Sequence, residues 1–290
     1  MLTNTWNSLA EFTNALPVFY FEKILLPLGL SYITFKYISY LTDVAWGIIK
    51  KGCFFDFLCY GSLFTIYVAG PIERFENLKP QFEEKQKFLS SYIEEAIERI
   101  AIGIFKKAVF ANWIGYLINP VLLNYSENDL LLRIIALVGF SLQIYLDFSG
   151  YSDIAIGSSR LFGFKIMENF NWPYLQPNIA QFWRCWHISL SQWIRDYLFF
   201  PLSRVLSFKI WNMVVVPVIA MGLCGLWHGA SWNFLLWGMI HGAAISIFTF
   251  WNAIKRKNKR IDRFASNKFF NIICIIFTFI FVTVAWSFFR

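Results

Sequence analysis

The feature that most constrains this chain is a recurring one: apolar stretches appear along its whole length, each close to the roughly 20 residues that a helix needs to cross about 30 Å of hydrocarbon. They occupy positions 24–40, 54–69, 130–148, 210–227, 234–251 and 269–289. With a further stretch beginning at Ser90, the pattern predicts about seven crossings at roughly 20 residues each. Membrane strands would alternate polar and apolar residues over about ten positions, and that alternation is absent from the sequence. Hydrophobic residues make up 57% of the 290 positions, aromatics 20%, and mean hydropathy is +0.50. Such a chain belongs to the all-α, polytopic membrane class, with the lipid bilayer as its first partner.

The net charge of +8 fits that class without nucleic acid. Positive residues concentrate in cytoplasmic loops of membrane proteins, and the run KRKNKRIDR at 255–263 has no interleaved aromatics on which bases could stack. Lys50 and Lys51, just beyond the first stretch, mark a cytoplasmic end on the same rule. The five cysteines, Cys53, Cys59, Cys185, Cys224 and Cys274, form no C-x-x-C pair and read as small apolar-segment residues. The amino terminus, MLTNTWNSLAEF, lacks a basic region ahead of an apolar core and does not read as a cleavable signal peptide.

Punctuation between the apolar stretches is informative. Gly70-Pro71 should end or redirect a helix, and the polar stretch PIERFENLKPQFEEKQKF follows it. From Ser90, Glu94, Glu95 and Glu98 precede an apolar run interrupted by Lys106-Lys107. This predicts an amphipathic helix entering or lying along the membrane, its charges on a solvated face. The stretch 130–148 closes on QIYLDFSGYSD, where Asp147 and Asp153 flank a glycine that reads as a break; the acids suit either helix-end anchors or a cavity wall. Positions 159–176, with Asn171-Trp172-Pro173, read as an interfacial loop.

The stretch 180–204, AQFWRCWHISLSQWIRDYLFFPLSR, sets three arginines and a histidine among tryptophans and phenylalanines. Wound as one helix at about 100° per residue, Arg184, His187, Ser191 and Arg195 share a face. Trp183, Trp186, Leu190, Trp193, Ile194 and Tyr197 form an adjoining apolar arc. The polar face suits an anion-binding or catalytic wall, and its arginines equally suit interfacial anchoring. A second stretch, LCGLWHGAS at 223–231, sets His228 between Gly225 and Gly229, which leave the ring approachable. The third and last histidine, His241, stands 13 residues beyond His228, about 220° round an ideal helix, and reads as structural.

Several chemistries fail on detail. There is no G-x-S-x-G and no Gly-rich phosphate loop. No histidines stand at i and i+4, and no His/Cys/carboxylate cluster suggests a metal. An imidazole, with an ordinary pKa near 6.5, could instead act as a base on a hydroxyl in a direct transfer between a donor and an acceptor within the membrane.

Seven ordered blocks then resemble a known family, the membrane-bound O-acyltransferases, in its bacterial branch of alginate O-acetylases, peptidoglycan O-acetyltransferases and teichoic-acid D-alanyl transfer proteins. They are LLPLGLSYITFKYISYLTDV (25–44), AGPIERFENLKPQF (69–82), GIFKKAVFAN (103–112), YLDFSGYSDIAIGSSRLFGF (145–164), FWRCWHISLSQWIRDYLFFPL (182–202), GLWHGASWNFLLWGMIHG (225–242) and AWSFFR (285–290).

The resemblance implies a ring of helices around a thin central funnel, in a multi-pass protein of the cytoplasmic (inner) membrane. It implies His228 as general base and His187 as the partner histidine that positions or polarises the acyl donor. Arg184, Trp186, Ser191, Arg195 and Trp227 would be substrate-binding. No bound cofactor or metal is implied. The donor would be acetyl-CoA or an acyl carrier protein, the acceptor an extracytoplasmic polysaccharide, and the partner a periplasmic SGNH-type acetyltransferase. Family members usually extend beyond the first and last blocks, so residues 1–290 would form one domain lacking family helices at both ends. Two other readings remain at this point: a transporter, since intramembrane histidines and arginines also line transport paths, and a non-catalytic scaffold.

Overall fold

The computed structural model describes residues 29–84, 89–205 and 209–289. The amino-terminal segment read as lacking a signal peptide, and the 24–28 start of the first apolar stretch, lie outside them. The described residues form helices joined by turns and loops, with no strand among them. The elements are α1 (Leu30–Ala45), α2 (Phe54–Ser62), α3 (Phe75–Glu83), α4 (Ser90–Ile104), α5 (Asn112–Leu123), α6 (Leu130–Leu161) and α7 (Ile179–Cys185). There follow α8 (Ile188–Ile194), α9 (Phe200–Val205), α10 (Lys209–His228), α11 (Trp232–Lys257), α12 (Lys259–Ala265) and α13 (Lys268–Trp286).

Among the described residues, four helical rods are long and apolar enough to cross a membrane: Ser90–Leu123, Leu130–Leu161, Trp232–Lys257 and Lys268–Phe289; a shorter apolar helix covers Asn212–His228. The outward side chains of α13, among them Ile272, Ile276 and Phe277, are exposed and apolar, as a lipid-facing surface requires. Of the other stretches expected to cross, 24–40 begins outside the described residues and 54–69 is interrupted. The 54–69 stretch yields only the short α2, then a turn at Phe64–Ile66, because Leu63 leaves helical geometry at ψ 97°. Cys53, exposed on the protein surface, caps α2 reciprocally with Asp56: its Sγ accepts from Asp56 N–H at 3.4 Å, and its own N–H donates to the Asp56 carboxylate at 3.1 Å.

The rod from Ser90 to Leu123 contains a wide π-helical turn at Phe105–Ala111. Within that turn the sequence neighbours Lys106 and Lys107 both reach acids on α6. A solvated face was expected here; the lysines are instead ion-paired between helices. The predicted break at Gly150 is also absent, since α6 runs through it. A Cβ on Gly150 would lie 2.7 Å from the Gly103 carbonyl oxygen, and one on Gly103 would lie 2.6 Å from that of Gly150. The glycine is a contact point at which two helix backbones meet.

A similar approach joins α10 to α11. A Cβ on Gly225 would sit 2.0 Å from the Phe234 carbonyl oxygen, and one on Gly238 would sit 2.0 Å from that of Met221. Gly225 therefore serves helix packing, with His228 carried at the end of α10 against α11. At the centre lies a buried aromatic cluster that includes Phe182, Trp183, Trp186, Trp193, Trp237 and Trp286.

Candidate active site

The stretch 180–204 is not one helix. α7 starts where the Asn178 side chain accepts from Gln181 N–H at 2.9 Å and stops at Cys185. Trp186 is extended, and His187 takes a left-handed conformation with φ 43°. A non-glycine residue in that region carries strain of roughly 1–3 kcal/mol and persists only where its surroundings hold it there. The chain then resumes as α8 and passes through a second wide turn at Arg195–Phe199.

The break overturns the single polar face predicted from helical spacing. Arg184 is exposed. Arg195, with its side chain 54% exposed, pairs with its neighbour Asp196 at 2.8 Å. Ser191 Oγ donates to the Trp186 carbonyl at 3.1 Å. None of these three lines the cavity described below. His187 turns the other way and is 2% exposed.

That cavity has a volume of about 520 Å³ and is lined by both His187 and His228, together with Trp186, Trp227, Trp237, Trp286 and Phe289. α1 contributes Tyr32, and α6 contributes Gln143, Asp147 and Phe148. Two histidines 41 residues apart in sequence thus line one cavity. His228 is flanked by the rings of Trp227 (4.5 Å between centroids), Phe289 (4.9 Å) and Trp237 (5.4 Å). His187 meets Phe148 edge to face at 4.6 Å. His241 lies apart, fully buried, accepting from the Trp183 indole N–H at 3.3 Å.

Among the described residues, four that line the cavity each have a buried polar atom without a hydrogen bond: Gln143 Oε1, His187 Nε2, Trp227 Nε1 and Trp237 Nε1. Buried polar groups are nearly always paired, and one left unpaired costs about 1–3 kcal/mol. These two indole donors and two potential acceptors belong to residues that line a mainly aromatic cavity, the residue mix of a site for a small polar ligand.

Of the residues expected at the site, His187, His228, Trp186 and Trp227 are brought together, whereas Arg184, Ser191 and Arg195 are not. Sequence reasoning missed Gln143 and Trp237, which sit inside apolar runs, and Asn169, which supports His187 from behind. A polar residue in the aromatic segment NFNWPY was the one signal for Asn169. Among the described residues no group of three His, Cys, Asp or Glu side chains could hold a metal ion.

Comparison with known proteins identifies the family. "Probable alginate O-acetylase AlgI" of Azotobacter vinelandii is 38% identical over 277 residues, covering 94% of this chain and 52% of the relative. "Peptidoglycan O-acetyltransferase" of Helicobacter pylori is 32% identical, covering 92% of this chain and 54% of the relative. "Teichoic acid D-alanyltransferase" of Bacillus subtilis is 32% identical, covering 88% and 66%. The chain spans about half the length of the alginate relatives it matches. The model of the MBOAT family, the membrane-bound O-acyltransferases, matches residues 20–287; the chain belongs to that family.

Proposed function

We propose that this chain is a membrane-embedded O-acyltransferase that passes an acetyl group from a cytoplasmic thioester to hydroxyls of an extracytoplasmic polysaccharide, or to a periplasmic SGNH-type partner. The observation that carries this reading is that two histidines and two tryptophans with unpaired indole N–H groups line one cavity. His228 removes the proton from the acceptor hydroxyl as its oxygen attacks the thioester carbonyl. The C–O bond forms, the C–S bond breaks, and the leaving thiolate takes up a proton. The N–H groups of Trp227 and Trp237 are suited to the carbonyl oxygen, where negative charge develops in the transition state. His187 is the second histidine of the pair, and Trp186 forms part of the aromatic wall. The donor is acetyl-CoA or an acetylated carrier protein, and the setting is the cytoplasmic membrane.

D-alanyl transfer is the second reading, and one observation weighs against it. A D-alanyl group carries an ammonium that needs a counter-charge. The one acid lining the cavity, Asp147, is already paired with Lys107. Membranes bearing the wild-type chain should transfer labelled acetyl to polymer, and H228A should reduce transfer to background while the variant still inserts. Transfer retained by H228A would overturn the assignment.

A further inference from the structure

Asn169 lies in the loop between α6 and α7 and is completely buried. Its backbone carbonyl accepts from Ile188 N–H at 2.9 Å, which ties this loop to the first residue of α8. Its side-chain oxygen, Oδ1, accepts from Ser189 N–H at 3.2 Å and from the Ser189 hydroxyl at 2.8 Å. The same oxygen lies 3.3 Å from His187 Nδ1. The amide nitrogen points away, donating to Ser152 Oγ at 3.4 Å.

These contacts fix which end of the amide faces the histidine. A backbone N–H can only donate, so the atom opposite Ser189 N must be the oxygen; the reversed amide would set donor against donor. An amide oxygen can only accept, so His187 Nδ1 must carry the proton. A neutral imidazole has one such proton, which leaves Nε2 with its lone pair. Nε2 is the buried atom of His187 that no protein group satisfies, and His187 lines the cavity shared with His228.

We infer that Asn169 is a positioning residue that locks His187 in the Nδ1-protonated tautomer, so that Nε2 meets substrate as a hydrogen-bond acceptor. His187 in this state cannot polarise a thioester carbonyl, a task that needs a donor. It can accept from an O–H or N–H of the donor or acceptor substrate. The Ser189 hydroxyl, which accepts from Ile72 N–H at 2.9 Å while donating to Asn169, anchors the arrangement to the loop ahead of α3. The catalytic part of this inference rests on the acyl-transfer reading above; the tautomer does not.

The test exploits the small number of histidines, three in the whole chain. In full-length protein labelled with 15N-histidine and held in lipid nanodiscs, the signal missing from H187Q identifies His187. Its nitrogen shifts should report protonated Nδ1 and unprotonated Nε2; protonation at Nε2 would overturn the inference whatever the activity. For function, N169D keeps an acceptor opposite Nδ1, and its added charge favours the imidazolium. That variant should retain transfer, with the acid limb of the rate profile moved to higher pH, because a protonated His187 no longer accepts. N169L removes the acceptor and should lower kcat by 100-fold or more with little change in KM for the donor. An unmoved acid limb in N169D, or wild-type kcat in N169L, would overturn the positioning role. The Nδ1-protonated form found alongside full activity in H187Q would leave the tautomer standing and sink the place of His187 in acyl transfer.

Discussion

Two regions of this molecule carry polar groups among apolar helices, and they are built on opposite rules. Along the seam between the α4–α5 rod and α6, charges of the two rods pair with one another. Asp153 receives Arg99 and Lys106, each at 2.6 Å, Lys107 pairs with Asp147, and Arg99 also pairs with Glu168. Around the cavity, by contrast, Gln143, His187, Trp227 and Trp237 each leave a buried polar atom unpaired. Burial disfavours both arrangements. The seam offsets the cost within the protein, so its charges act as structure. The cavity leaves the cost standing, and groups held that way are available to a ligand. Asp147 joins the two regions, lining the cavity while bound to Lys107 of the seam.

Substitutions can break or sharpen this contrast. The largest effect should come from H228A, with transfer falling by roughly 10³-fold or more through loss of the base while the thermal unfolding temperature in detergent stays near that of wild type. On the seam the outcome should invert. D153A leaves Arg99 and Lys106 without their shared counter-charge and should cost about 3 kcal/mol of stability, at the low end for a broken buried pair because both cations are partly exposed. Unfolding at the wild-type temperature in D153A would remove the seam's structural role.

A smaller effect belongs to W227F, which keeps an aromatic ring beside His228 but removes the indole N–H together with part of the ring system. A tenfold lower kcat, or about 1.4 kcal/mol of transition-state stabilisation, should appear alongside a modest loss of thermal stability from the lost packing. An unchanged kcat would show that the N–H is no donor to substrate. The smallest effect is predicted for the double variant R184A/R195A. Both side chains lie off the cavity, so transfer should change by less than about twofold, the scale of an exposed surface substitution. A tenfold loss would return these arginines to the site.

Much of the fold was legible in the sequence. Helical class and membrane residence follow from composition and segment length alone, because a chain this apolar cannot leave its backbone polar groups unpaired in lipid. His187 and His228 were legible as candidates, since titratable groups in apolar segments are costly, and the ordered motif blocks marked the same residues. The roles of Arg184 and Arg195 were misread because helical spacing assumes an unbroken helix. The left-handed turn at His187 rotates that side chain away from its sequence neighbours. Gly150 was misread for a related reason: a glycine in an apolar run can mark either a break or a helix contact, and only the position of Gly103 decides between them.

The sequence by itself determined that this chain is an all-helical membrane protein carrying histidines in its apolar segments, because hydropathy and ionisable character are properties of residues and their near neighbours. Which histidine faces which, which lysine finds which acid, and which proton His187 holds were decided only by tertiary structure. Those outcomes depend on contacts across long sequence separations: Lys106 to Asp153, His187 to Asn169, and the two histidines across the cavity. Hydrogen bonds and ion pairs act over a few ångströms in space, and local spacing cannot carry that information across a helix break.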